Sequence, residues 1–188
     1  MKKIDPIEIL EQYYPPETKA YTILIKHSNL VKEKALAIAR CNPQLTLDYE
    51  LIEKGALLHD IGIFLTKAES IGCNGEAPYV CHGYLGGQIL REKGLEELAL
   101  MSETHTGVGL SKQTIIDQNI PIPPKDYLPQ SHEQIIVCMA DKFFSKNPTS
   151  LEKEKSVEEI IKLVERHNPE DVKKVLHWID FYNINKLS

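Results

Sequence analysis

What most restricts the fold of this chain is its punctuation: apolar residues recur at helical spacing in block after block, and proline or glycine closes each block. A first helix is expected over 6–13, ended by Pro15 and Pro16. A second opens at Glu17 and Thr18, carries Ile23, Leu24, His27, Leu30 and Val31 as one stripe, and reaches about Arg40. The third covers 48–59, with Leu51, Ile52 and Leu58 apolar and Gly62 expected as its C-terminal breaker. A fourth and a fifth are expected over 82–93 and 95–103. Ser111 is a good N-cap for a short sixth reaching about Asn119, after which Pro121, Pro123, Pro124 and Pro129 hold an extended connection. The seventh, 131–145, places Ile135, Ile136, Met139 and Phe143 on one side. Two amphipathic blocks follow, one with Val157, Ile160, Ile161 and Val164, the other with Val172, Val175, Leu176 and Ile179. No segment alternates at strand period. The expectation is an all-α chain: one domain over 1–188, with its core in 18–146 and the helices of 156–182 packed on it.

Composition narrows the function. A 188-residue chain that is 42% hydrophobic can bury a core without disulfides. A net charge of −5, spread over mixed charges, disfavours a sequence-specific nucleic-acid binder that works by neutralising phosphates. A small anionic substrate would have to be met by local cations or metals. Asp5, Glu8 and Glu11 interrupt the start after Lys2 and Lys3, so no signal-peptide core is expected, and no apolar run is long enough to span a bilayer. Cys41, Cys73, Cys81 and Cys138 lack CxxC spacing, which suggests reduced thiols and a cytoplasmic setting. Oligomeric state leaves no readable mark.

The chemistry gathers on His59 and Asp60, where the third helix ends. Adjacent side chains on a regular helix point about 100° apart; at a helix end both can converge. His27 lies among apolar residues and should aim inward, and Asp141 likewise sits within an apolar face. A lone inward histidine is more often a satisfied core residue than a ligand, and a lone inward aspartate is often a cap or an ion-pair partner. Together, two histidines and two carboxylates from three helices form a donor set suited to Fe, Mn, Co, Ni or Zn.

The pattern His27, His59-Asp60, Asp141 resembles the H…HD…D signature of HD-domain phosphohydrolases, and the string Leu57-Leu58-His59-Asp60-Ile61-Gly62 is similar to their HDIG subgroup. The likeness spans 21–145. In the dinuclear branch two further histidines hold a second ion, and His82 and His105 stand where the resemblance implies them, with Asp60 bridging. Left to themselves, His82 would be a helix-start residue and His105 a loop histidine. The resemblance implies two divalent transition ions, iron first, with a metal-bound hydroxide attacking a phosphate ester or anhydride, in a nucleotide. The catalytic expectation falls on Asp60 and Lys142. The same six ligands also serve di-iron oxygenases of the superfamily, and a third reading is a non-catalytic nucleotide-binding or signalling module.

Thr106 follows His105 where cyclic-dinucleotide phosphodiesterases of the superfamily carry a second histidine, and their GYP motif is missing. The HTGVG string instead resembles HD-type enzymes that split dinucleoside tetraphosphates symmetrically. The stretch 81–142 is similar to small uncharacterised HDIG proteins of archaea and bacteria. Lys142, and Lys146 a helical turn beyond it, are candidates to hold a phosphate oxygen, against a default of solvated lysines. Gly107 and Gly109 precede a helix start whose N–H groups could bind an anion, or they answer a need for positive φ. The ending required of a Walker A loop is missing. Gly86 and Gly87 suggest close backbone packing near the cluster. Trp178, Phe181 and Tyr182 are expected to fill or cover the core, and the connections 61–81 and 106–130 to frame the pocket.

Overall fold

The computed structural model describes residues 5–187. Its helices are α1 (Pro6–Glu11), α2 (Lys19–Arg40), α3 (Tyr49–Leu58), α4 (His82–Glu92), α5 (Glu96–Thr104), α6 (Lys112–Asp117), α7 (His132–Lys142), α8 (Val157–His167) and α9 (Val172–Phe181). Side-chain oxygens of Asp5, Thr18, Asp48, Ser111, Ser131 and Ser156 accept from the first-turn N–H groups of six of them. Ser131 with Gln134 and Ser156 with Glu159 close full capping boxes. The all-α expectation holds. It missed one hairpin, β1 (Lys67–Ala68) and β2 (Cys73–Asn74), turned by Gly72 at φ 87. Two-residue strands are too short to show alternation.

The long helix α2 packs against α3 and α7, and α4 against α5 and the 3-10 turn Ile61–Leu65. Val31, Ile38, Ile52, Leu58, Ile136 and Met139 are fully buried at the centre of these contacts, each contributing about 1.5–3 kcal/mol of apolar transfer. Val164, Val175, Trp178 and Tyr182 of the C-terminal helices belong to the same hydrophobic cluster, whereas Phe181 lies 43% exposed with its ring stacked on His132. Among the described residues no helix is long and apolar enough to cross a membrane.

Two expectations need correction. Gly62 does not break α3 by a left-handed turn; it lies inside the 3-10 turn, where a Cβ would come within 2.3 Å of the His82 carbonyl oxygen and 2.4 Å of the Gly86 nitrogen. Absence of a side chain, and not positive φ, is what this position demands. The seventh helix stops at Lys142, so Lys146 stands on the following loop and not a helical turn further on.

Candidate metal centre

Five segments meet at one buried point. His27 comes from the middle of α2, His59 caps α3, His82 opens α4, His105 caps α5, and Asp141 lies in the last turn of α7. His59 keeps helical φ and ψ of −54° and −32°, whereas Asp60 leaves the helix at −100° and 8°. That break lets neighbours converge: His59 Nε2 lies 3.0 Å from Asp60 Oδ2.

The two oxygens of Asp60 face different partners. Oδ2 has His27 Nε2 at 3.3 Å and His59 Nε2 at 3.0 Å, and Oδ1 has His82 Nε2 at 3.3 Å and His105 Nε2 at 3.4 Å. Asp141 Oδ1 closes the first group, 3.1 Å from His27 Nε2 and 3.4 Å from His59 Nε2. Two sets therefore share Asp60: His27, His59, Asp60 and Asp141, and Asp60, His82 and His105, with the ligand atoms in each set within 4.8 Å of one another.

Three histidines are anchored alike. Nδ1 of His59, His82 and His105 lies 2.7, 2.6 and 2.7 Å from the carbonyls of Ala56, Tyr79 and Ser102, each three residues earlier. A carbonyl only accepts, so Nδ1 of each carries a proton and Nε2 faces the centre, as a lone pair in His82 and His105, whose charged forms burial disfavours. His82 Nε2 and His105 Nε2 thus face each other at 2.9 Å, lone pair to lone pair. His59 Nε2 and both Asp60 oxygens are fully buried without a hydrogen bond of regular geometry, and Asp60 Oδ2 is met by the Lys146 ammonium at 2.8 Å. Imidazole lone pairs and carboxylate oxygens aimed at shared points are the donor chemistry of divalent transition ions, and these residues fit such ions.

Electrostatics agree. Burial opposes the charge on Asp60, but His59 and Lys146 outweigh it and hold the carboxyl well below the usual range. For Asp141 the same opposition is overcome by Lys142 and Lys146. Burial, then the charge on His105, pushes His82 down to about 3, so it stays neutral. Burial would also lower His59, yet the adjacent Asp60 carboxylate raises it to about 9. Two buried carboxylates are thus kept ionised at the centre by the cations of His59, Lys142 and Lys146.

The HD domain family model matches residues 24–146, which carry all six of these side chains. The chain belongs to the HD domain family. An uncharacterised protein of Methanocaldococcus jannaschii is 40% identical over 121 residues, 63% of this chain and 64% of that protein. A tRNA (cytidine(56)-2'-O)-methyltransferase of Thermoplasma volcanium is 34% identical over 123 residues, 65% of this chain but 32% of the enzyme. The match thus spans less than two thirds of the first relative and about a third of the second. The HD domain of the L. monocytogenes phosphodiesterase PgpH shares the fold, with a TM-score of 0.52 over 97% of this chain and 96% of that one at 16% identity.

Around the centre, this HD domain is built by backbone proximity. Ser102 Oγ, fully buried on α5, lies 2.8 Å from the His59 carbonyl and 3.1 Å from that of Gly83, tying α3, α4 and α5 together. A Cβ on Gly86 would meet Ser102 Oγ at 2.4 Å and one on Gly87 would meet Glu103 Cγ at 2.3 Å, the close packing that the glycine pair suggested. Tyr14, from α1's C-terminal side and outside the family match, donates to the Ile61 carbonyl and accepts from Phe64 N–H, each at 2.9 Å. It clamps the turn that follows Asp60.

A crevice of about 430 Å³ opens beside His82, His105 and Asp141, walled by Tyr79, Thr106 and Lys146. Of the connection 61–81 only Tyr79 and Val80 reach it, because Ile61 and Ile63 are buried in the core; the connection 106–130 lines it through Thr106 to Leu110, Thr114 and Gln118. Lys146 Nζ lies 2.8 Å from Asp60 Oδ2 and 3.4 Å from Asp141 Oδ1. Lys142, expected at a phosphate oxygen, is buried, with Nζ 2.9 Å from Asp141 Oδ2 and 3.1 Å from the His105 carbonyl, so it is engaged by two members of the cluster and does not line this crevice. Gly107 and Gly109 line it with φ of 62° and 89°, the positive-φ alternative. The N–H of Gly109 is spent on Thr106 and that of Lys112 on Asp126, which leaves the helix start little to offer an anion. Sequence reasoning missed Tyr79, which stands three residues before His82 with no periodic signal, and His167, Asn168 and Asp171, which reach the crevice from beyond the family match.

Proposed function

We propose that this HD domain is a two-metal phosphohydrolase that acts on a phosphate ester or anhydride of a nucleotide. In this reading His27, His59, Asp60 and Asp141 hold one divalent transition ion, iron first, and Asp60, His82 and His105 hold the other. The observation that carries it is the facing pair His82 and His105: two lone pairs held 2.9 Å apart by backbone carbonyls, with Asp60 Oδ1 beside them, call for a shared cation.

Bound ions would supply Lewis-acid polarisation of a phosphoryl oxygen and acidification of water. The chain's own residues supply the rest. Nδ1–H bonds to Ala56, Tyr79 and Ser102 keep three imidazoles in one tautomer and one orientation, so no reorganisation is needed when charge develops. Lys146, on the crevice wall, offers a point charge to a phosphate oxygen once its carboxylate partners are taken up by metal. The 41% exposed ring of Tyr79, centred 4.7 Å from that of His82, gives a flat face on which a base can stack. The methyltransferase activity of the Thermoplasma relative is not carried over, since the matched stretch is 32% of that enzyme.

Metal analysis of freshly purified protein, combined with phosphate release from a nucleotide panel, tests the proposal. Two ions per chain and metal-dependent release are expected. One ion per chain would overturn the two-metal assignment, substrate-dependent oxygen uptake without phosphate release would replace hydrolysis with oxidation, and nucleotide affinity without turnover would leave a binding module.

A further inference from the structure

We propose that the substrate carries a second phosphate beside the scissile one, and that an annex of the metal crevice holds it, with Lys155 as its cationic anchor. The proposal rests on the phosphohydrolase reading above. The annex is a cavity of about 240 Å³ that shares Gly107, Asp141, Lys146 and His167 with the crevice, so the two are continuous. It adds Lys142 and Lys155, and Phe144, Leu163 and Val164 give it an apolar back wall.

Size selects the kind of group. At about 30 Å³ per water, the annex holds on the order of eight waters, below the roughly 300 Å³ at which sites for whole small molecules begin. The 430 Å³ crevice falls within that range. The annex has room for a tetrahedral anion attached to a larger ligand.

Charge selects its sign. Two carboxylates line the annex, and both are answered: Asp141 by Lys142 at 2.9 Å, and Asp171 by Lys174 at 3.3 Å and Asn168 Nδ2 at 2.9 Å. Lys155 is different. Its Nζ lies 3.3 Å from the Lys142 carbonyl and forms no ion pair among the described residues. Its backbone N–H donates to the Phe143 carbonyl at 2.9 Å, which fixes the residue against the end of α7. Burial, with the charges of Lys146 and Lys142, pushes the ammonium below its ordinary value against the opposing pull of Asp141 and Glu159. The fold therefore keeps a half-buried cation beside two others at a cost that a bound anion offsets, and a low-dielectric wall strengthens that attraction. Lys155 lies outside 24–146, so the annex is an addition to what the family match covers.

The test compares adenosine 5′-monophosphate, 5′-diphosphate and 3′,5′-bisphosphate as substrates of the metal-loaded full chain. A two-phosphate nucleotide is expected to exceed the monophosphate about tenfold in kcat/KM, Lys155→Gln to remove that preference chiefly through KM, and Lys155→Arg to restore it. Equal turnover of all three by the unaltered chain, or a preference that survives Lys155→Gln, overturns the annex. If none is hydrolysed, calorimetry decides the annex separately from the phosphohydrolase reading. Inorganic pyrophosphate binding about tenfold weaker in Lys155→Gln, with inorganic phosphate less affected, supports it; loss of both alike, or of neither, overturns it.

Discussion

His82 separates the two halves of the centre. It faces Asp60 Oδ1 and His105 but belongs to no contact with Asp141, so His82→Ala should drop the metal content from two ions per chain to one, whereas Asp60→Ala, which removes the oxygens facing both sets, should lose both. Metal analysis with circular dichroism checks this, the helical signal being retained in each. Tyr79→Ala should raise KM for a nucleotide about tenfold with less change in kcat, because a base–aromatic stack is worth about 1–3 kcal/mol of binding; steady-state kinetics decide. Gly62→Ala is the opposite kind of change. Its methyl would meet two backbone atoms, the His82 carbonyl oxygen and the Gly86 nitrogen, neither of which can rotate away. A loss of about 3 kcal/mol in urea unfolding is expected. His59, Asp60 and their glycine were legible as a string; that this glycine answers an approaching helix, and not a turn, was not, because its contacts lie twenty or more residues away in sequence.

Among the elements, the 3-10 turn Ile61–Leu65 decides where Asp60 points, and Tyr14 holds that turn at both ends. Tyr14→Phe leaves a buried carbonyl and a part-buried N–H without their partner, which should cost about 1–3 kcal/mol in denaturant unfolding. As a positioning residue Tyr14 should also act on kcat and metal affinity more than on KM, a split that a purely structural role would not produce. Helix existence was readable from apolar period and, for α6, from the N-cap Ser111; the structure adds Thr18, Asp48, Ser131 and Ser156, which also accept a first-turn N–H. The hairpin Lys67–Asn74 was not readable, since two residues per strand carry no period. Lys146 reached the centre without a helix beneath it, because the chain leaves α7 at Phe143 and turns back toward Asp60.

For the whole molecule, metal and fold should be coupled. Ions that bind the native donor set and not the unfolded chain stabilise it by about 2.7 kcal/mol at a hundred times Kd. Chelation should therefore lower Tm by roughly 5–10 °C for a chain of this size, measured by calorimetry with and without excess ion. His82→Ala should shrink that difference, which ties the stability effect to the site and not to general ionic conditions.

The sequence by itself determined that the chain is helical and where most of its helices begin, because period and turn residues are local signals, and its likeness to the HD signature grouped His27, His59, Asp60 and Asp141. The tertiary structure decided which way each of these side chains faces: Nδ1–H bonds to carbonyls three residues earlier turn three Nε2 atoms inward, and Asp60 is split between two sets. It also decided which lysine is spent on Asp141, which one lines the crevice, and that residues beyond the family match, His167 and Lys155 among them, wall the space beside it. Such facts depend on distances between segments far apart in the chain, and no spacing along the sequence encodes them.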